Sequence, residues 1–237
     1  MAAPFAKKLK LASPSAKITS MRLFYFDLKA RGEPIRLAAR HAGFELEDVR
    51  VPFDEWGSVV KKAVPFGQMP YAQFLAEDGS LVVGIAQTRA ILRTIAKATG
   101  KLYGDGSISD MAKIDSVLDF EEDFFVAIRS TISPTRFGMD DFPDAAAKIA
   151  RRERIVSDVL PAKFEALEST LGASASGWCA GSSDPSIADF MFACSLSAFD
   201  SGLWDGVPKD IMAKYPKICS FYDKFYALES VRTYYEK

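Results

Sequence analysis

Strand signals occupy only the first hundred residues of this 237-residue chain, and that asymmetry restricts the possible folds more than any other feature. From Met21 to Gly100, short apolar runs alternate with segments of helical periodicity, and after Gly104 only the helical periodicity remains. Strands interleaved with helices favour a sheet covered by helices, whereas consecutive helices pack on one another. We therefore predict an α/β domain followed by an all-α domain.

The first domain is predicted to be a small layer built on a mixed four-stranded sheet. Its strands are expected at Leu23–Asp27, Phe44–Val51, Tyr71–Leu75 and Leu81–Ile85. A first helix ends at Gly43, and a second covers Thr88–Thr99. The tetrapeptide Glu77–Ser80, with the sequence Glu-Asp-Gly-Ser, is typical of a hairpin turn between the last two strands.

The second domain is predicted to contain helical segments over Asp110–Ser130, Asp144–Leu171, Ser186–Ser201 and Lys217–Leu228. Ser186 and Asp189 have the spacing of a capping box, which makes Asp189 a structural residue. The resulting boundaries are a basic flexible extension over 1–20, an α/β domain over 21–104 and a helical domain over 105–237.

The extension carries four lysines and no acidic residue. Its composition fits a flexible tail or a weak organelle-targeting segment, although transit peptides favour arginine and none occurs here. No apolar run reaches the length of about 20 residues that spans a bilayer. We expect a cytoplasmic protein, with an organelle as the alternative.

Composition excludes several classes of function. The formal net charge of −1 gives no reason to expect a nucleic-acid or membrane partner, and only the Lys7–Lys10 cluster favours nucleic acid. Multi-histidine metal sites are excluded because the chain has a single histidine, His41, which lies inside a predicted helix. The three cysteines form no Cys-x-x-Cys pair, and we expect buried structural thiols with Cys179 as the candidate for exposure.

Tyr25 is the best candidate for chemistry. It lies near the end of the first predicted strand and faces the start of the first helix, where free amides and the helix dipole favour an anion. The alternative is a core aromatic residue beside Phe24 and Phe26.

Several segments of the chain, taken in order, resemble those of cytosolic glutathione S-transferases, and the resemblance is closest to the sigma class, which includes glutathione-dependent prostaglandin D synthases. These segments are Tyr25-Phe26, Arg31–Arg36, Trp56, Pro65–Pro70, Gln87-Thr88 and Ser186–Asp189. The resemblance runs from about Met21 to the C-terminus. It implies a thioredoxin-like N-terminal domain, a helical C-terminal domain, and a homodimer with the active site at the domain cleft.

By this resemblance, Tyr25 is the catalytic tyrosine whose hydroxyl stabilises the thiolate of bound glutathione. Arg31 resembles the arginine that donates toward that hydroxyl and the thiolate. The thiolate would then be conjugated to a hydrophobic electrophile. The expected electrophile pocket includes Phe124, Phe125, Ile128 and Phe137.

The resemblance also assigns residues that hold glutathione as a cosubstrate. Met69, before a cis Pro70, would pair through its backbone with the cysteinyl part, and Gln68 would contact the glycyl end. Gln87 and Thr88 would bind the γ-glutamyl carboxylate at a helix N-terminus. The segment from Pro70 to Gln87 is longer than the family pattern, which indicates an insertion in the hairpin.

The glycyl carboxylate would be reached by Trp56 and by a lysine one turn later. Val60 stands at the lysine's usual spacing. We assign the role to Lys61, because one extra residue between Trp56 and Pro65 accounts for the shift.

Acidic residues follow one face of the first helix of the second half. Asp123 resembles the residue that crosses a dimer interface to the ammonium group of the partner's glutathione. Asp119, Glu122 and Asp123 also resemble the cluster that binds Mg²⁺ or Ca²⁺ in some prostaglandin-synthesising relatives. The general alternative is a solvated acidic face.

A different class of function also fits the chain: a structural or interaction protein that has kept this fold. The lengthened hairpin, the displaced lysine and the basic extension favour that alternative. The enzyme is favoured because seven residues of the family's site are present together: Tyr25, Arg31, Gln68, Met69, Pro70, Gln87 and Asp123.

Overall fold

A computed structural model describes residues 9–236, and the internal contacts divide them into two units. The first unit comprises the described residues up to Tyr103 together with those from Glu229 onward. The second unit is Gly104–Leu228. None of the helices within 9–236 has the length and apolar character needed to cross a membrane.

The first unit contains the mixed four-stranded sheet that the sequence predicts. Its strands are β1 (Ser20–Phe26), β2 (Glu45–Val51), β3 (Tyr71–Leu75) and β4 (Leu81–Ala86). Their order is β2-β1-β3-β4, with β1 and β2 parallel and the other two pairs antiparallel. The register places Tyr25 opposite Arg50 and puts a β-bulge at Phe74/Leu75 in the hairpin.

Two predicted helices cover this sheet. Helix α1 (Glu33–Ala42) ends at Gly43, whose positive φ of 69° suits a residue without a side chain. The segment after β2 contains two one-turn helices, α2 (Phe53–Glu55) and α3 (Lys61–Ala63), joined by a π-helical turn over Trp56–Val60. Helix α4 (Thr88–Thr99) packs against α1.

The part of the N-terminal extension that the structure describes is docked on the edge of β4. Leu81 donates its amide to the Lys10 carbonyl at 2.8 Å, and its own carbonyl accepts from Ala12 at 2.9 Å. A cavity of about 540 Å³ lies between residues 10–19 and the hairpin turn, and no predicted site residue lines it. Lys7 and Lys8 of the basic cluster lie outside the described residues.

The second unit is helical, as predicted. Its helices are α5 (Ile108–Ser130), α6 (Ala145–Asp158), α7 (Leu160–Gly172), α8 (Ile187–Asp200) and α9 (Pro216–Tyr226). The predicted helical segment over Asp144–Leu171 is divided into two helices, since the chain breaks at Val159. Pro161, at the start of α7, has no amide hydrogen and its ring clashes with a preceding helical turn.

A last helix, α10 (Glu229–Tyr235), is not predicted by the sequence analysis. It packs against α1 and so belongs to the first unit, although it follows the helical segments in the chain.

The predicted capping box at the start of α8 is confirmed. The fully buried Asp189 carboxylate accepts hydrogen bonds at 2.7 Å from the Ser186 amide, the Ser186 hydroxyl and the Cys179 amide. Buried donors need partners, so Asp189 connects the loop around Cys179 to the helix.

We expect Asp189→Ala to lower the free energy of unfolding by about 2–4 kcal/mol, because it removes a cap and leaves two buried amides without acceptors. Equilibrium unfolding in urea measures the change. The control is Asp184→Ala, an exposed carboxylate hydrogen-bonded to Ser183, which should cost less than about 0.5 kcal/mol. Equal losses in both variants would contradict the structural role.

Candidate active site

Tyr25 lies near the end of β1, and its ring packs against the start of α1. The residue is only 6% exposed. A methyl group built on Gly32 would come within 2.9 Å of Tyr25 Cγ, so Gly32 is the residue that lets the helix approach the ring. The Arg36 guanidinium carbon is 5.7 Å from the ring centroid. Backbone and cation together fix one face of the tyrosine.

The loop between Tyr25 and α1 carries Arg31 in a single 3₁₀ turn, Ala30–Gly32. The Thr88 hydroxyl donates to the Arg31 carbonyl at 3.2 Å, and Thr88 is buried. This bond joins the Arg31 loop to the first residue of α4. It brings two of the predicted binding segments together, although they are 57 residues apart in sequence.

The predicted cis bond at Met69–Pro70 is present. Gln68, just before it, is extended, with φ −136° and ψ 145°. The side-chain carbonyl of Gln68 accepts a hydrogen bond from the side-chain amide (Nε2) of Gln87 at 2.8 Å. The loop before β3 therefore meets the residue before α4.

Gln87 has a positive φ of 79° in a residue that is not glycine. Such a conformation costs on the order of 1 kcal/mol or more, and it is found where the surrounding structure holds the residue in place. Gln87 directly precedes α4, and its side chain does not cap the helix. The first amides of an α-helix have no acceptor within the helix, so the start of α4 is a position that favours an anion.

The π-helical turn shifts the residues after Trp56 by one position relative to an α-helix. The Lys61 amide bonds to the Trp56 carbonyl, a five-residue span where an α-helix has four. Lys61 therefore takes the hydrogen-bonded place that residue 60 would have in an α-helix. Val60 instead is fully buried with Phe24 and Val64 in the core.

Lys61 also lies next to the loop before β3. A methyl group built on Gly67 would be 3.4 Å from Lys61 Cγ and 3.6 Å from its Cε. The lysine stem therefore runs beside Gly67, adjacent to Gln68. Lys62 is exposed and has no such contact among those described.

The aromatic residues beside Tyr25 form a separate cluster. Phe26 stacks on the ring of Phe53, which is 65% exposed, with the ring centroids 4.3 Å apart. Phe26 and Trp56 form a T-shaped pair with their ring centroids 5.7 Å apart. Trp56 is thus held close to the end of β1.

The acidic residues lie on α5 in the second unit. Asp119 and Asp123 are exposed, and Glu122 accepts a hydrogen bond from Arg129 at 3.0 Å. Within residues 9–236, no three His, Cys, Asp or Glu side chains come together as a metal site. Asp119, Glu122 and Asp123 therefore do not fit the Mg²⁺ or Ca²⁺ site that the resemblance implied.

Two further expectations are corrected by burial. Phe124, Phe125 and Ile128 are at most 1% exposed, because they pack in the aromatic core of the second unit. They are not available to line an electrophile pocket, whereas Phe137 is 44% exposed.

Cys179 is also buried, which raises the pKa of its thiol and makes it a poor nucleophile.

Two buried charged residues near the site were not expected from the sequence: Arg36, which faces the Tyr25 ring, and Glu33, which pairs with Arg36. Arg36 belongs to the motif that carried the resemblance, but nothing in the motif says that its charge is buried. The available signal was the pairing of opposite charges at positions i and i+3 of a predicted helix.

A four-stranded α/β unit followed by a helical unit is the architecture of glutathione S-transferases, and comparisons with known proteins agree. Residues 135–237 match the model of the glutathione S-transferase C-terminal domain. Glutathione S-transferase S1 of Drosophila melanogaster is 31% identical over 92% of this chain and 78% of the relative. Glutathione S-transferase 4 of Caenorhabditis elegans is 30% identical over 90% of this chain and 94% of the relative.

Solved structures agree as well. Prostaglandin synthase D of Nilaparvata lugens superposes with a TM-score of 0.75 and 26% identity, over 92% of this chain and 98% of that one. The chain belongs to the glutathione S-transferase family.

We expect Gly32→Ala to destabilise the protein by about 1–3 kcal/mol, because its methyl group overlaps the buried Tyr25 ring. Gly172→Ala is the matched control at the end of α7, where an added methyl group meets no atom within 4 Å. The control should be neutral or more stable by up to about 1 kcal/mol. Urea unfolding compares the two, and a Gly32 variant as stable as the control would contradict the close packing.

Proposed function

We propose that this glutathione transferase activates the thiol of bound glutathione through the Tyr25 hydroxyl and conjugates it to hydrophobic electrophiles. The observation that carries the proposal is the position of Tyr25: near the end of β1, with its ring held against the first turn of α1.

The chemistry that Tyr25 would supply is stabilisation of an anion. A free thiol has a pKa of about 8.5, so little glutathione is thiolate at neutral pH. A phenol that donates a hydrogen bond to sulfur favours the charged form, and each unit of lowered pKa corresponds to about 1.4 kcal/mol. The proton is lost before the electrophile arrives, and the thiolate is the nucleophile.

Arg31 would reinforce this effect, since a permanent cation favours negative charge nearby. The bond from Thr88 to the Arg31 carbonyl supports this role, because it holds the loop that carries the guanidinium.

Glutathione would be held by segments that already contact one another. Met69 would pair through its backbone with the cysteinyl part. Gln68 and Gln87, which are hydrogen-bonded to each other, would flank the peptide. The N-terminus of α4, which begins at Thr88, would receive the γ-glutamyl carboxylate.

The glycyl carboxylate would lie between the Trp56 indole and the Lys61 ammonium. The π-helical turn supports Lys61 over Val60, because it absorbs the extra residue and turns Val60 into the core.

We also propose a homodimer in which Asp123 receives the ammonium group of the partner's glutathione. The exposed position of Asp123 on α5 supports an interaction with another molecule. The names of two relatives, a Drosophila S1 enzyme and a prostaglandin synthase D, favour a sigma-like member.

Tyr25→Phe tests the mechanism. We expect the pKa of the bound thiol to rise by about 1–2 units and the conjugation rate near neutral pH to fall by about 10- to 100-fold. Ultraviolet absorbance of the thiolate against pH gives the pKa, and a chromogenic aryl halide gives the rate.

The control for this experiment is Tyr222→Phe on α9. Tyr222 is not among the residues assigned to glutathione, so its loss should leave the thiol unchanged. Burial raises the pKa of Tyr222 to about 12, so this phenol adds no tyrosinate absorbance near the midpoint of the thiol titration. Native protein that is not retained on glutathione resin would favour the structural-protein alternative. If the native protein is retained on glutathione resin but Tyr25→Phe leaves the pKa of the bound thiol unchanged, the proposed role of the Tyr25 hydroxyl is overturned, whereas the binding of glutathione is not.

Lys61→Ala tests the binding of the glycyl carboxylate. We expect the Kd for glutathione to rise by about 3- to 10-fold, as for loss of a charged hydrogen-bond donor at an exposed site. Calorimetric titration measures it, and the neighbouring exposed Lys62→Ala should change Kd by less than about twofold. Equal weakening by both variants would show only a general effect of positive charge.

A further inference from the structure

A buried network of charges lies directly behind the proposed catalytic loop. At its centre is Arg36, which is 1% exposed and whose guanidinium faces the Tyr25 ring. Nη1 of Arg36 donates to the Leu28 carbonyl at 2.8 Å, and Nη2 donates to the Phe26 carbonyl at 3.3 Å. Both carbonyls belong to the chain between Tyr25 and Arg31. The course of that loop therefore depends on Arg36.

Two carboxylates also accept hydrogen bonds from the guanidinium. Nε donates to Asp48 at 3.0 Å, and Nη1 donates to Glu33 at 3.2 Å. Asp48 also pairs with Arg50 at 2.6 Å. The second oxygen of Glu33 accepts a hydrogen bond from the Tyr235 hydroxyl at 2.7 Å. The network thus ends on the C-terminal helix, 202 residues away in sequence.

Helix α10 is fastened to α1 by a second, separate set of contacts. Arg40 donates to the Ser230 carbonyl at 2.8 Å and to the Thr233 hydroxyl at 3.0 Å. His41 Nδ1 is 2.7 Å from the Ser230 hydroxyl. These contacts dock the helix, whereas the Tyr235 hydroxyl bonds to Glu33, the acid beside Arg36.

Stability alone does not explain such a network. Buried ion pairs are often replaceable by apolar residues without loss of stability, whereas they can fix one geometry among several. Here the geometry that is fixed is the loop carrying Tyr25 and Arg31.

We propose that Arg36 is a positioning residue for Tyr25 and Arg31, and that the C-terminal helix sets its position through Tyr235 and Glu33. This inference rests on the proposed function, since it concerns the same tyrosine. Removal of the Tyr235 hydroxyl leaves the buried Glu33 with one donor fewer, and the carboxylate moves toward its remaining donor, Arg36. The guanidinium then shifts against the two loop carbonyls, and the phenol loses its alignment with sulfur.

The test uses Tyr235→Phe, with Thr233→Val as the control on the same helix. The control removes a docking contact without touching Glu33. For Tyr235→Phe we expect the pKa of bound glutathione to rise by about half a unit, equivalent to an approximately threefold loss of thiolate below the midpoint. At such a pH kcat falls by about threefold, whereas KM for glutathione changes by less than about twofold.

Arg36→Lys keeps the charge but not the fork of donors, and it should raise the thiol pKa by about one unit, a tenfold loss of thiolate. Thr233→Val should leave the thiol pKa unchanged. Thermal unfolding is recorded for every variant.

Three outcomes separate the possibilities. If Tyr235→Phe and Arg36→Lys lower the melting temperature but leave the thiol pKa at its native value, Arg36 is only structural and the inference is overturned. If Thr233→Val raises the pKa as much as Tyr235→Phe, general undocking of the helix explains the effect, which also overturns it. If native protein does not lower the thiol pKa at all, the proposed function fails and this inference fails with it.

Discussion

The arrangement around Tyr25 depends on the cost of burying a guanidinium. An arginine cannot lose its charge in a protein, so a buried Arg36 must find acceptors for its donors. In this chain the acceptors are two carboxylates and two carbonyls of the loop that follows β1. These hydrogen bonds fix the conformation of the loop. The loop conformation in turn sets the positions of the Tyr25 ring and of the first turn of α1. Gly32 completes the fit, because any larger residue would collide with the ring.

A second constraint acts on the segment after Trp56, which the resemblance indicates is one residue longer than the family pattern. The extra residue must be accommodated without moving the core residue Val60. Between Trp56 and Val64 the chain widens one helical turn into a π-turn, so that Val60 still faces Phe24 and Val51. The displaced lysine then lies beside Gly67 and the loop before β3. Single π-turns within helices are frequent at functional sites.

Much of the architecture was predictable from local patterns. The bounds of β3 and α4, the hairpin turn and the capping box at Ser186 and Asp189 follow from turn residues, periodicity and cap spacing. The break before Pro161 and the helix over Glu229–Tyr235 were missed. The first is a helix break at a proline that lies within a strongly periodic segment, where periodicity alone favours a continuous helix. The second is a short helix, and such helices are stabilised mainly by tertiary packing.

The sequence by itself determined the order of elements, the candidate tyrosine and the segments that resemble the family, because periodicity and motif spacing are local properties of the chain. Tertiary structure alone decided which charges are buried, which phenylalanines are in the core, and that Val60 is buried whereas Lys61 is exposed. It alone brought Tyr235 to Glu33 and Thr88 to Arg31. The physical reason is that burial and long-range hydrogen bonding depend on what the rest of the chain packs against each residue, and no local pattern records those neighbours.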